Sequence, residues 1–179
     1  MNVGGRQLKM ADLKRIASEL GLGSPTTFIA SGNLLFTSAK SEAAVKRELE
    51  AALTDHMGKP IEVMVRTAGE ITEAVGDNPF AAEPGNRVVA VFFDDPPPGD
   101  VIDAAKNVTN ERLARGRREI YVHFPDGQGR SKLRLGGRAL GTARNMKSQF
   151  RMSDSKMTPF KSTSACCSDN ASPAPRIVP

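Results

Sequence analysis

The apolar positions of the chain change their spacing several times, and each change marks an element. In residues 10–20, MADLKRIASEL, Met10, Leu13, Ile16, Ala17 and Leu20 recur at helical spacing, with Gly21 where a left-handed cap would close the helix. The following TTFIASGNLLFTS is rich in β-branched and aromatic residues and is split by Ser31-Gly32-Asn33. It predicts two short strands, or one bent strand, around a glycine turn. Ser41 is a good N-cap for a second helix that turns Val45, Leu49, Ala52, Leu53 and Met57 inward and ends at Gly58. In PIEVMVRT the period drops to two. Ile61, Val63 and Val65 stand against Glu62, Met64 and Arg66, the pattern of a half-buried strand. Thr67 and Glu70 have capping-box spacing for a short helix through Ile71, Ala74 and Val75, which Asn78-Pro79 stops.

A linker rich in Glu, Pro, Gly and Asn (residues 82–86) leads into RVVAVFFDD, whose unbroken apolar run predicts a central strand covered on both faces. Beyond Pro96-Pro97-Pro98, Asp100 caps a predicted helix using Val101, Ala104, Ala105 and Val108. REIYVHF is a further strand, with Ile120, Val122 and Phe124 on one side and Tyr121 and His123 on the other. Strand, helix and strand recur in both halves. The chain therefore reads as an α+β protein of two small packed layers, residues 1–84 and 85–147. The remaining stretch, 148–179, has seven serines, no leucine and no sustained apolar spacing. Such a composition does not offset the entropy of ordering, so a disordered tail is expected.

Charge changes the picture more than composition does. The 179 residues carry a net +5, but residues 112–151 hold eleven basic residues against only Glu119 and Asp126, a net +9 that leaves the remainder at −4. An anionic partner would be drawn to the second half. No apolar run exceeds the six residues Val88–Phe93, too short to cross a bilayer, and no apolar segment follows the N-terminal charges as a secretory signal requires. The two cysteines, Cys166 and Cys167, are adjacent, which suits free thiols in a reducing cytoplasm better than a disulfide framework or a zinc site. No membrane association, metal or cofactor is expected.

Candidate chemistry centres on DGQGRSKL, residues 126–133. Neither a phosphate loop of the nucleotide-hydrolase type nor a dinucleotide fingerprint fits its spacing. Two readings stay open. One is a glycine turn with exposed basic residues. The other is an anion nest in which the amides of Gly127 and Gly129 converge, Ser131 caps a short helix, and Arg130 and Lys132 add charge. Asn2-Val3-Gly4-Gly5, followed by Arg6 and Lys9, is a second glycine turn open to the same pair of readings, and Asn33 belongs to a turn that tolerates positive φ. His56 sits on a helix's last turn, where a cation suits the dipole. His123 lies near the 126–133 loop, either as an acid or base or as a satisfied surface or interface histidine. Asp94 and Asp95 read as a polar strand exit or as two metal-binding carboxylates. Few aromatics accompany the basic segment, and it carries no helix-turn-helix, zinc-finger or aromatic ribonucleoprotein signature.

Five motifs occur in order: NVGG…KM (residues 2–10), SGN (31–33), NPF (78–80), GRSKL (129–133) and TARN (142–145). On these the chain resembles the bacterial domain-of-unknown-function 1697 family. The resemblance implies a two-part, ferredoxin-like α+β architecture and no established activity. Two departures stand out. Members usually carry a strand before the Asn-Val-Gly-Gly turn, and they usually continue past Asn145-Met146 into an amphipathic helix. Loss of that first strand would leave its neighbour as an exposed edge, open to self-association. TARN adds Arg144 and Asn145 to the candidate anion site. The leading expectation is an anion-binding module for a phosphorylated small molecule or a nucleic-acid backbone. The alternatives are an enzyme acting on a small anionic substrate in a cleft between the halves, with Asn2, Lys9 and Asn33 facing Arg130 and His123, and a damaged, inactive gene copy.

Overall fold

A computed structural model describes residues 2–3, 6–28, 33–136, 141–146 and 174–178. The chain divides into two compact units, residues 1–68 with 156–179, and residues 69–155. The division lies at 68/69 rather than near residue 84. The fold is α+β, with antiparallel sheets in both units. Among the described residues no helix is long and apolar enough to cross a membrane.

In the first unit, β1 (Asn2–Val3) pairs with β2 (Arg6–Gln7) ahead of α1 (Met10–Glu19). Leu13, Ile16 and Ala17 of α1 are buried, as the helical spacing requires. The helix ends in a Schellman motif. Gly21 has φ +73°, its N–H bonds the carbonyl of Ser18 at 3.0 Å, and Leu22 N–H bonds that of Ala17 at 3.1 Å. The two expected strands are β3 (Gly23–Phe28) and β4 (Asn33–Ser38). α2 (Glu42–Met57) is capped by Ser41, whose Oγ accepts from Ala44 N–H at 3.3 Å, and it closes on the left-handed Gly58. Val45, Leu49, Leu53 and Met57 join Leu13, Ile16, Leu34 and Phe36 in one core.

Residues 61–65 depart from the strand expected there. Only Arg66–Thr67 (β5) pairs as a strand, and Met64 and Arg66, read as outward-facing, are buried with Ile61, Val63 and Val65. The reason lies in α2, whose side chains take over the bonds a neighbouring strand would supply. Thr54 Oγ1 accepts from Ile61 N–H (3.1 Å), Glu50 Oε1 accepts from Val63 N–H (2.9 Å), and Lys46 Nζ donates to the Val63 carbonyl (2.7 Å). Arg66 is tolerated inside because it donates to the Val65 carbonyl at 2.6 Å and stands 3.5 Å from Glu42 Oε1.

A second departure concerns the serine-rich end. Ala174–Val178, within the stretch expected to be disordered, forms a strand, here β10; residues 147–173, with Cys166 and Cys167, lie outside the described residues. The sheet order is β3-β4-β10-β5. β4 is therefore paired on both sides.

The second unit begins with α3 (Ala68–Gly76) and is built on the antiparallel sheet β7-β8-β6-β9, comprising β6 (Val88–Phe93), β7 (Arg112–Arg115), β8 (Glu119–His123) and β9 (Gly141–Asn145). β6 is central, as its apolar run predicts. Every residue of β8 is also buried, because both its faces are covered. One face, with Val89, Ile120 and Val122, packs on Phe124, Val101, Leu133 and Leu135. On the other, the Tyr121 hydroxyl bonds the Ala74 carbonyl of α3 at 2.8 Å. The helix expected from Asp100 is instead a run of turns. The backbone leaves it at Lys106 to form a two-way bridge with Arg134, which takes the groups that further helical turns would use.

Candidate functional site

The chain leaves β8 at Phe124 and turns sharply at Gly127, whose φ of +86° only glycine adopts without strain. A single 3-10 turn, Gln128–Arg130, follows. This loop and residues 107–111 enclose a recess of about 460 Å³, lined by Asn107, Thr109, Asn110, Glu111, Phe124, Asp126, Gly127, Arg130, Ser131 and Lys132. Three bonds tie its walls together. Asn107 Nδ2 donates to the Lys132 carbonyl at 3.1 Å, Asn110 Nδ2 to Asp126 Oδ2 at 2.8 Å, and Ser131 Oγ to Glu111 Oε1. Glu111 also accepts the Thr109 N–H at 2.7 Å. The Ser131 hydroxyl first, then that backbone bond, pull its carboxyl down to about 2, so the recess holds a fixed negative charge at neutral pH.

Four of the residues singled out in the sequence thus meet: Gly127, Arg130, Ser131 and Lys132. Their arrangement corrects the nest reading in two respects. Ser131 follows the short helix as its C-cap, so it does not cap an N-terminus, and its hydroxyl is held between Glu111 and the Leu133 N–H. The Gly127 N–H points inward, to the Phe124 carbonyl at 3.0 Å. Gly129 is exposed in open space and does not line the recess. Arg130 and Lys132 are exposed and enter no ion pair among the described residues.

Arg144 and Asn145 are not part of this recess. They lie on β9, separated from β8 by β6. Arg144 Nη1 donates to Thr142 Oγ1 (2.8 Å) and the Ala143 carbonyl (2.9 Å), and burial lowers its guanidinium below the ordinary value. Asn145 Nδ2 donates to the Asn86 carbonyl at 3.1 Å. Of the second loop, Asn2 pairs with Gln7, Lys9 is exposed just before α1, and Asn33 is fully buried at the start of β4. Gly4 and Gly5 lie outside the described residues. Asn2, Lys9 and Asn33 belong to the first unit, His123 and Arg130 to the second.

His123 is buried and satisfied. Its Nδ1 faces Arg112, with Nε at 3.3 Å and Nη2 at 3.0 Å, and its Nε2 lies 3.6 Å from Glu83 Oε2. Phe80 stacks near both groups, its ring centre 5.9 Å from the imidazole and 5.1 Å from the Arg112 guanidinium. Strand alternation puts His123 and Phe124 on opposite faces, so the histidine does not line the recess beside it. The cluster Phe80, Glu83, Arg112 and His123 was not anticipated. Its visible signal was Asn-Pro-Phe, where Asn78 Oδ1 accepts from Phe80 N–H at 3.0 Å and fixes the turn that presents the ring. His56 occupies the last turn of α2, 3.9 Å from Asp12. Among the described residues no group of three His, Cys, Asp or Glu is placed to hold a metal ion.

The sequence pattern of the family described as "Protein of unknown function (DUF1697)" matches residues 1–121. A conserved bacterial protein, SP0830 from Streptococcus pneumoniae, has a similar structure. It is 18% identical, with a TM-score of 0.61 over 86% of this chain and 92% of that one, a likeness of fold alone. No curated protein matches the chain.

Proposed function

The chain belongs to the DUF1697 family of proteins of unknown function, and on that premise we propose that its second unit is a binding module for a small phosphorylated molecule. The observation that carries the reading is the meeting of Arg130 and Lys132 with Glu111, Asp126, Asn107 and Asn110 around one recess of about 460 Å³. Two exposed cations supply the attraction for a phosphate. The ionised Glu111 and the amides supply acceptors and donors for the hydroxyls of the group it is attached to. The same carboxylates disfavour a nucleic-acid backbone, whose successive phosphates would pass close to Glu111 and Asp126. A small polyhydroxylated anion meets both signs of charge; a continuous polyanion does not.

The test is a thermal-shift screen followed by calorimetry with ribose 5-phosphate, glycerol 3-phosphate, adenosine monophosphate and a short oligonucleotide. A ligand at a hundred times its Kd stabilises the chain by about 2.7 kcal/mol. Arg130→Ala with Lys132→Ala abolishes binding of the small phosphate and removes its salt dependence. Binding that survives unchanged in the double variant, or that is strongest for the oligonucleotide, rejects the reading.

A further inference from the structure

The first unit places its last strand in the middle of a sheet. β10 pairs along all five residues with β4, from Ala174 opposite Ser38 to Val178 opposite Leu34, and through Arg176 and Ile177 with Thr67 and Arg66 of β5. β4 and β5 do not pair with each other. At ordinary strand spacing they stand about 9–10 Å apart, a slot one strand wide whose two edges both present main-chain donors and acceptors.

The occupant matches this slot poorly. Directly opposed residues share a sheet face, so positions 174, 176 and 178 share the face of Ser38, Phe36 and Leu34. Phe36 and Leu34 are buried core residues, yet the residue aligned with Phe36 is Arg176. Pro175, opposite Thr37 of β4 and beyond the two residues that pair with β5, has no N–H to give to a ladder. A slot with apolar alternation on one face is filled by a segment carrying a charge and a proline. Residues 147–173 separate β10 from Met146 in sequence, so β10 can leave the sheet without breaking any of its other pairings.

We propose that the slot between β4 and β5 is a docking site for an extended segment of another polypeptide, apolar at alternate positions, which replaces Ala174–Val178 by strand addition. Main-chain bonds to β4 and β5 supply affinity. The positions facing Ser38, Phe36 and Leu34 supply selectivity, rejecting a charge at the centre. β10 acts as a tethered competitor, so a better-fitting β10 weakens docking and its removal strengthens it.

The experiment uses the full chain and a labelled, end-blocked peptide with the core Val-Thr-Ile-Thr-Val, read by fluorescence anisotropy. A control peptide has aspartate in place of the central isoleucine. The first peptide binds, and the control binds at least tenfold more weakly. Pro175→Val with Arg176→Ile lowers affinity at least tenfold and slows amide exchange across Leu34–Ser38, whereas a chain ending at residue 173 binds more tightly than the parent. Absence of binding to the parent overturns the proposal, whether or not the shortened chain folds. Affinity unchanged by Pro175→Val with Arg176→Ile also overturns it, because the peptide then sits elsewhere. So does a dimer that exchanges β10 between copies and is not dissolved by the peptide, which would make a second copy of this chain the occupant.

Discussion

Replacing Tyr121 by phenylalanine removes one oxygen from the interior of the second unit. Tyr121 is fully buried, and its hydroxyl lies 2.8 Å from the Ala74 carbonyl and 2.9 Å from Glu119 Oε1. A phenol carries a single proton, so these acceptors share one donor and the loss is that of one charge-assisted bond. Glu119 keeps the N–H groups of Arg117 and Arg118, at 3.2 and 3.1 Å. The Ala74 carbonyl is in the last turn of α3, where no amide one turn on completes the ladder. One lost bond to a charged group and one poorly replaced acceptor cost about 2 kcal/mol. For a chain of this length that lowers Tm by about 4–8 °C. Urea unfolding followed by circular dichroism measures it directly.

Tyr121 is also the only tyrosine, and the chain has no tryptophan, so tyrosinate absorbance reports on it alone. Burial, then the charge of Glu119, push its pKa far above the ordinary value. The unfolded chain releases this proton near pH 10. Above that pH the folded form therefore holds more protons than the unfolded form, and stability falls as pH rises. The parent should show this alkaline loss and Tyr121→Phe should lack it. A variant within about 0.5 kcal/mol of the parent would refute the hydrogen-bond reasoning. So would native absorbance titrating with a midpoint near 10.

Glu111→Gln removes a carboxyl held at about 2 against an ordinary 4.5. Its contribution is present above about pH 4.5 and lost as pH falls toward 2, so the variant should show a shallower acid-side loss of stability in a pH series of urea melts. Leu49→Ala empties the centre of the α2 core, where Leu49 is 1% exposed, and should cost about 2–5 kcal/mol by the same melts. A cost under about 1 kcal/mol would mean that the first unit's core collapses around the gap.

Legibility was greatest where a local rule acts within a few residues. The Ser41 cap, the glycine closures at Gly21 and Gly58, and the buried run of β6 are decided by capping chemistry, tolerance of positive φ and apolar spacing. It failed where a distant partner supplies the bonds. The short polar strands Arg112–Arg115 and Gly141–Asn145 carry no pattern of their own and exist because β8 and β6 present edges to pair. In the recess, Arg130, Ser131 and Lys132 were readable from DGQGRSKL. Glu111, which puts a negative charge on the facing wall, and the neutral Asn107 and Asn110 beside it were not, since the bridge between Lys106 and Arg134 brings that segment there.

By itself, then, the sequence determined α1, α2 and α3, the caps at Ser41, Gly21 and Gly58, the buried run of β6 and the excess of positive charge in residues 112–151, because these follow from side chains close along the chain. Only the tertiary structure decided that two of these cations, Arg130 and Lys132, share a recess with the carboxylates of Glu111 and Asp126, that Arg144 lies apart from it, and that Ala174–Val178 sits in mid-sheet between β4 and β5. Main-chain hydrogen bonds are nearly indifferent to side-chain identity. A free pair of strand edges can therefore recruit a segment whose own residues, a proline and an arginine among them, give no sign of belonging there.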